Sequence, residues 1–141
     1  MDDYAKTKLK ALLIQQEDLK LFPYTDTTGN ITIGVGRNLS ARGVSQPEAL
    51  GMLDDDILWF TSKIVESLPW ASQLSDNRFC GVISIAFNIG LHGLLECNTL
   101  LNYLEAGHWQ SAHDDCLGLL AAKQAPARYT QIANIFLTDQ I

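Results

Sequence analysis

The pattern of apolar and polar positions changes twice along the chain. Residues 3–16 place Ala5, Leu9, Leu12 and Leu13 at helical spacing, with Lys6, Lys8 and Lys10 largely off that stripe. This predicts an amphipathic helix that stops near Glu17. From Leu21 to Gly36 the signals differ: Pro23 breaks helix, Thr27-Thr28-Gly29-Asn30 is turn chemistry, and Ile31 to Gly36 alternates with period two. A short β-hairpin is expected there. On that reading Ile31, Ile33 and Val35 share one side and belong to a core. Thr32, Gly34 and Gly36 share the other, where a hydroxyl followed by two positions without side chains leaves bare backbone for a ligand. Glycines serving only twist or bulges are the alternative.

Helical periodicity then returns. Ser45-Gln46-Pro47-Glu48 reads as a capping box with Pro inside the first turn, followed by Ala49, Leu53, Ile57, Phe60 and Ile64 at spacings of three and four. That helix, about 45–67, ends before Pro69 and is long enough to bridge two lobes. Beyond it come Phe79, Val82, Ile83 and Ala86 before Gly90; Leu100, Leu101 and Leu104 before Gly107; Trp109, Ala112, Cys116, Leu119 and Leu120; and Tyr129, Ile132, Ala133, Phe136 and Leu137 after Pro126. The expected fold is α+β and mostly helical. It is one domain over 1–141, with a small hairpin lobe (17–44), a connecting helix (45–67) and a helical lobe (70–141).

Composition narrows the function. At 141 residues and 47% hydrophobic, the chain can bury one core, and its 18% charged content argues against disorder. The net charge of −6 is shared, with seven basic and ten acidic residues in 1–70 and three and six in 71–141, which disfavours nucleic-acid binding. The first residues lack the basic and apolar segments of a secretory signal, and no run looks long and apolar enough for membrane insertion. Cytoplasmic synthesis is expected. Cys80, Cys97 and Cys116 are an odd, widely spaced set, read as three small buried hydrophobes rather than as a metal site or a disulfide framework.

A Glu at a helix end opposite an Asp at a hairpin can do acid–base work. Hydrolysis of a glycosidic bond needs an acid that protonates the leaving oxygen and a second carboxylate that activates water or stabilises an oxocarbenium-like transition state. Glu17 would need partial burial to stay protonated, whereas Asp26, on a turn with backbone donors, can stay ionised. Each carboxylate alone reads as a solvated surface residue; the combination with Thr32 and the glycines after it gives them weight.

Glu17, eight residues, Asp26, five residues, Thr32 and then Ile33-Gly34-Val35-Gly36 is a pattern that resembles the phage-type lysozymes, or endolysins, of glycoside hydrolase family 24. Gly43-Val44-Ser45, Phe87-Asn88-Ile89-Gly90, Asn98-Thr99-Leu100-Leu101 and Gln124-x-Pro126-x-Arg128 extend the likeness over nearly the whole chain. The resemblance implies a muramidase that cuts the β-1,4 bond between N-acetylmuramic acid and N-acetylglucosamine in bacterial peptidoglycan, with inversion. Glu17 would be the general acid, Asp26 the carboxylate opposite and Thr32 the hydroxyl that places the attacking water. Arg128 would lie near the acid, or else be a solvated arginine at a helix start. Asn88 would line the cleft, or cap its helix locally. Gly34 and Gly36 would admit substrate.

No metal or organic cofactor is implied, and the expected protein is a monomer. It would act on the wall in the periplasm, reached with a holin or another export partner. Three departures stand out: Asp18 where the family has Gly, Arg37 where many members have His, and an acidic charge that anionic envelopes repel. Two readings compete with hydrolysis. One is a lysozyme-fold protein that binds glycan without cutting it; the other is a lytic transglycosylase, which the presence of Asp26 and Thr32 disfavours.

Overall fold

The computed structural model describes all 141 residues. It divides into two compact units, Met1–Gly51 and Met52–Ile141, with the boundary inside a long helix. Unit 1 holds α1 (Asp3–Glu17), β1 (Lys20–Thr25), β2 (Ile31–Gly34), β3 (Arg37–Asn38), α2 (Leu39–Arg42) and the first turns of α3 (Gln46–Ser67). Unit 2 holds the rest of α3, a 3₁₀ turn (Pro69–Gln73), α4 (Asp76–Glu96), α5 (Asn98–Glu105), α6 (Trp109–Gly118), α7 (Leu120–Gln124) and α8 (Pro126–Thr138). The mostly helical α+β class expected from the pattern is what is observed.

Helix starts follow their capping residues. Asp2 Oδ1 accepts from Ala5 N at 2.7 Å, Asn38 Oδ1 from Ala41 N at 2.9 Å and Ser75 Oγ from Arg78 N at 3.3 Å. At α3 the capping box is present: Ser45 N donates to Glu48 Oε2 at 2.7 Å and Glu48 N to Ser45 Oγ at 3.4 Å.

The sheet is antiparallel in the order β1-β2-β3. The expected two-stranded hairpin therefore carries a third strand. Gly34 and Gly36 both have positive φ, so the chain turns at Val35 and Gly36 instead of continuing as strand, and Ile33 pairs with Arg37. β1 is an edge strand, which tolerates Pro23 because the missing N–H need not face a partner; the register slips between Lys20 and Tyr24.

At the start of β2 the predicted faces are reversed. Thr32 is 4% exposed and Ile31 50% exposed. Thr32 sits in the central strand between Tyr24 and Asn38, whose side chains share its face, while the side chain of Ile31, on the other face, stays half exposed. Nor is the α1 stripe buried: no α1 residue is, although Leu13 and Ile14 flank a depression with Val35.

Unit 2 carries the apolar core. Ile64, Val82, Ile85, Ala86, Leu94, Leu100, Leu104, Cys116, Tyr129, Ile132 and Phe136 are all buried in one cluster. α8 packs on both α4 and α6. At Gly81 a Cβ would come within 2.6 Å of the Phe136 ring, so only glycine permits this approach of α4 to α8. A small lock closes the end of α8: Arg78 Nε donates to Phe136 O, its Nη1 pairs with Asp139 Oδ2 at 3.1 Å, and its guanidinium stacks on Trp109 at 3.9 Å.

Two sequence expectations need correction here. α4 meets the length and mean hydropathy of a membrane span, against the reading that no run does. However, Gly90 interrupts it with non-helical angles, and Val82, Ile85, Ala86 and Leu94 lie in the core, which is the pattern of a core helix. The three cysteines also differ: Cys116 is buried, with its thiol pushed up to about 12 mainly by burial, and Cys97 is half-buried, but Cys80 is exposed. Cys80 precedes Gly81, the residue that faces α8, and one step along a helix turns a side chain by about 100°.

Within unit 1, Arg37 links β3 to the start of α3. Its Nη1 and Nη2 form a bidentate pair with Glu48 at 3.0 and 2.6 Å, and Nη1 also donates to Gly43 O at 3.2 Å. The Arg37 guanidinium, with Ser45 N–H second, holds the Glu48 carboxyl at about 2, below its ordinary 4.5. A folded-state value below the unfolded one means stability that is complete above pH 4.5 and lost as the pH falls towards 2. Thermal unfolding of wild type and Glu48→Gln should therefore differ most above pH 4.5 and converge near pH 2. A gap that stayed constant across that window would show that the pair contributes nothing to the fold.

Candidate active site

Glu17 is the last residue of α1, and the backbone after it dictates where its side chain goes. Asp18 ends the helix at φ 60° and ψ 162°, a region populated almost only by glycine. Its carboxylate rests 3.8 Å from Lys20 Nζ, a solvent-exposed contact of little worth. Glu17 lies against Gly36: a Cβ on Gly36 would stand 3.2 Å from Glu17 Oε2, and Gly36 has φ 67°. Gly36 is thus required twice, for the turn and for the approach of the carboxylate. Glu17 is exposed, not partly buried as the acid role led us to expect, since the neighbour it packs on has no side chain to cover it.

Asp26 follows β1 and opens the turn into β2. Its Oδ1 accepts from Thr28 N at 2.9 Å, Thr28 Oγ1 at 2.8 Å and Asn30 N at 2.9 Å. Backbone bonds from Asp26 N to Asn30 O and from Gly29 N to Asp26 O close the same turn. The Thr28 hydroxyl, and after it the Asn30 backbone N–H, hold the Asp26 carboxyl below the usual carboxylate range, so it is ionised at neutral pH. Thr32, the only buried residue in unit 1, directs Oγ1 at Asn30 O from 3.4 Å, the long limit of a hydrogen bond, and keeps capacity for another partner.

Gly34 has open space where a Cβ would stand and borders a cavity of about 380 Å³ with Ile33, Val35, Arg37, Val44 and Glu48. Arg37, the departure noted in the sequence, is committed to Glu48 and Gly43. Five of the seven sequence-predicted site residues, Glu17, Asp26, Thr32, Gly34 and Gly36, therefore belong to unit 1.

Asn88 and Arg128 belong to unit 2, where they line one cavity of about 330 Å³ with Leu53, Ile57, Cys80, Ile83, Ser84 and Phe87. Buried Tyr129 donates its hydroxyl to Asn88 Oδ1 at 3.1 Å, which fixes the amide. Sequence reasoning counted Tyr129 only as core. A phenol in a buried helical stripe needs a polar partner, and that requirement was the available signal. It also missed Thr28 and Asn30, legible only as turn residues.

The family described as phage lysozyme matches residues 14–126, which contain Glu17, Asp26, Thr32 and the glycines after them. The chain belongs to the phage lysozyme family. Among its relatives, an endolysin of Bacillus phage B103 is 31% identical over 102 residues, covering 70% of this chain and 38% of that protein. The pre-baseplate central spike protein of Enterobacteria phage T4 is 23% identical over 168 residues, covering 99% of this chain and 29% of that protein. This lysozyme-family chain thus spans 38% of the one relative's length and 29% of the other's.

Asp18 stands where phage-type lysozymes usually have glycine, and its angles give the physical reason for that glycine. A non-glycine residue in this region costs about 1–3 kcal/mol. Asp18→Gly should stabilise the protein by roughly 1 kcal/mol or more, read as a higher midpoint in denaturant at unchanged slope. An unchanged or lower midpoint would mean that the Asp18–Lys20 contact outweighs the backbone strain.

Proposed function

We propose that this phage-lysozyme-family protein is a peptidoglycan muramidase. It hydrolyses the β-1,4 bond between N-acetylmuramic acid and N-acetylglucosamine, with Glu17, Asp26 and Thr32 as its catalytic residues. The observation that carries the reading is that all three stand at family spacing inside the family match, on one compact unit, with Asp26 held ionised by its own turn.

In the proposed reaction the Glu17 carboxyl gives its proton to the glycosidic oxygen as the C1–O bond breaks. A water held by Thr32 Oγ1 and the Asp26 carboxylate attacks C1 from the opposite face and loses its proton to Asp26, which inverts the anomeric centre. Arg128 would contribute to substrate binding. Asn88, Gly34 and Gly36 would contact the glycan.

The endolysin relative supports action on the bacterial wall; access to it through a holin or another export partner is part of the proposal. The spike-protein relative favours a second setting, in which the same domain cuts the wall as one module of a larger phage assembly. The chemistry is the same in both.

On purified sacculi, wild type should release new reducing ends. Glu17→Gln should lower the rate by about 10²- to 10⁴-fold, the range for losing a general acid, with sacculus binding retained. Binding by wild type without any release would replace the muramidase reading with that of a glycan-binding protein.

A further inference from the structure

We propose that Thr28 and Asn30 are positioning residues that lock Asp26 in one orientation, Oδ1 bound into the turn and Oδ2 left to face the attacking water. This inference rests on the muramidase reading, although its geometry stands apart from it. Three donors converge on Asp26 Oδ1, from Thr28 N, Thr28 Oγ1 and Asn30 N, and Oδ2 takes part in none of these bonds. A carboxylate free to rotate would share its two oxygens between turn and solvent. This one has a single oxygen to offer.

The hydroxyl of Thr28 owns one proton, and its use is decided by Asn30. Asn30 Nδ2 donates to Thr28 Oγ1 at 2.7 Å, which occupies the acceptor side of the hydroxyl and leaves its proton for Asp26. The same residue reaches the third member of the site: Asn30 O accepts from Asp26 N at 2.9 Å and faces Thr32 Oγ1 at 3.4 Å. Asn30 therefore sets the spacing between carboxylate and hydroxyl, the two groups proposed to hold one water.

The charge of Asp26 is held by neutral donors alone. The ion pairs of unit 1 are Lys20–Asp18 on the loop into β1 and Arg37–Glu48 between β3 and α3, and neither includes Asp26. No charged side chain adds to the depression of its pKa, whose largest cause is the Thr28 hydroxyl. Removing that hydroxyl leaves no charge to take over its effect.

The test is Thr28→Val, with Thr28→Ser as the rescue and Asn30→Ala as an independent second variant. Carbon-13 NMR of the Asp26 carboxyl is followed through pH alongside the pH profile of kcat. In Thr28→Val the Asp26 midpoint should rise towards its ordinary 3.8, the acid limb of the rate profile should move to higher pH, and kcat at neutral pH should fall roughly 10- to 100-fold at similar KM. Thr28→Ser should keep both titration and rate, and Asn30→Ala should shift the midpoint in the same direction by less. A midpoint unchanged in both Thr28→Val and Asn30→Ala overturns the positioning role. If wild type shows the low midpoint and the variants raise it while no protein cleaves sacculi, the lock stands and the muramidase reading fails.

Discussion

The candidate site is built in a unit with almost no interior. Every buried apolar residue lies between Ile64 and Phe136, and in Met1–Gly51 the single buried residue is Thr32. Burial of apolar surface, the usual dominant stabiliser, therefore cannot be what shapes this unit. Backbone and side-chain hydrogen bonds take its place: the turn knotted around Asp26, the Asn38 cap, the Ser45–Glu48 box and the Arg37 fork that ties β3 to α3. Individually such solvent-exposed bonds contribute little, and the unit depends on their acting together. A unit held this way is stable only if its groups stay in register, and register is what a catalytic constellation requires.

That economy explains why structural and chemical roles fall on the same residues. Asp26 organises a turn and is the proposed catalytic carboxylate. Gly36 makes a hairpin turn and makes room for Glu17. Thr32 fills the centre of the sheet and keeps a hydroxyl in reserve. Unit 2 follows the opposite logic: α8 packs tightly on α4 through Gly81 and Phe136, and polar contacts add to that packing, with Tyr129 on Asn88 and Arg78 on Asp139. The contrast predicts no difference in importance, only in what each unit can tolerate. Unit 2 can absorb volume-conserving apolar changes, whereas unit 1 depends on named donors and acceptors.

The helices of unit 2 were legible because their apolar positions recur every three or four residues, and Pro69, Pro126, Gly90 and Gly107 punctuate them. The start of α3 was legible because Ser45 and Glu48 satisfy each other's backbone donors. The proposed site residues were picked out by spacing rather than local physics, since nothing about an isolated Glu17 or Asp26 separates catalyst from surface charge. The faces of β2 were misjudged because alternation says which residues share a side and not which side is covered; with short strands, Tyr24 and Asn38 cover Thr32 and leave Ile31 bare. Val35 and Gly36 were read as strand because period two carries no record of φ, whereas Gly34 does end β2. Cys80 was misplaced because an apolar neighbourhood in sequence is not a buried azimuth on a helix. The roles of Thr28 and Asn30 were out of reach, since the turn composition announces a turn and not the oxygen on which its donors converge.

The claim at the centre of this account is that a water molecule, placed by Thr32 and Asp26, ends the cleavage. Mass spectrometry of the fragments released from purified Gram-negative sacculi in ¹⁸O-labelled water tests it most directly. Hydrolysis predicts fragments ending in reducing N-acetylmuramic acid that carries one labelled oxygen at its anomeric carbon. Fragments ending instead in an unlabelled anhydro sugar, lighter by one water, would contradict it, because the cut would then have been made without the water that Asp26 and Thr32 are proposed to hold.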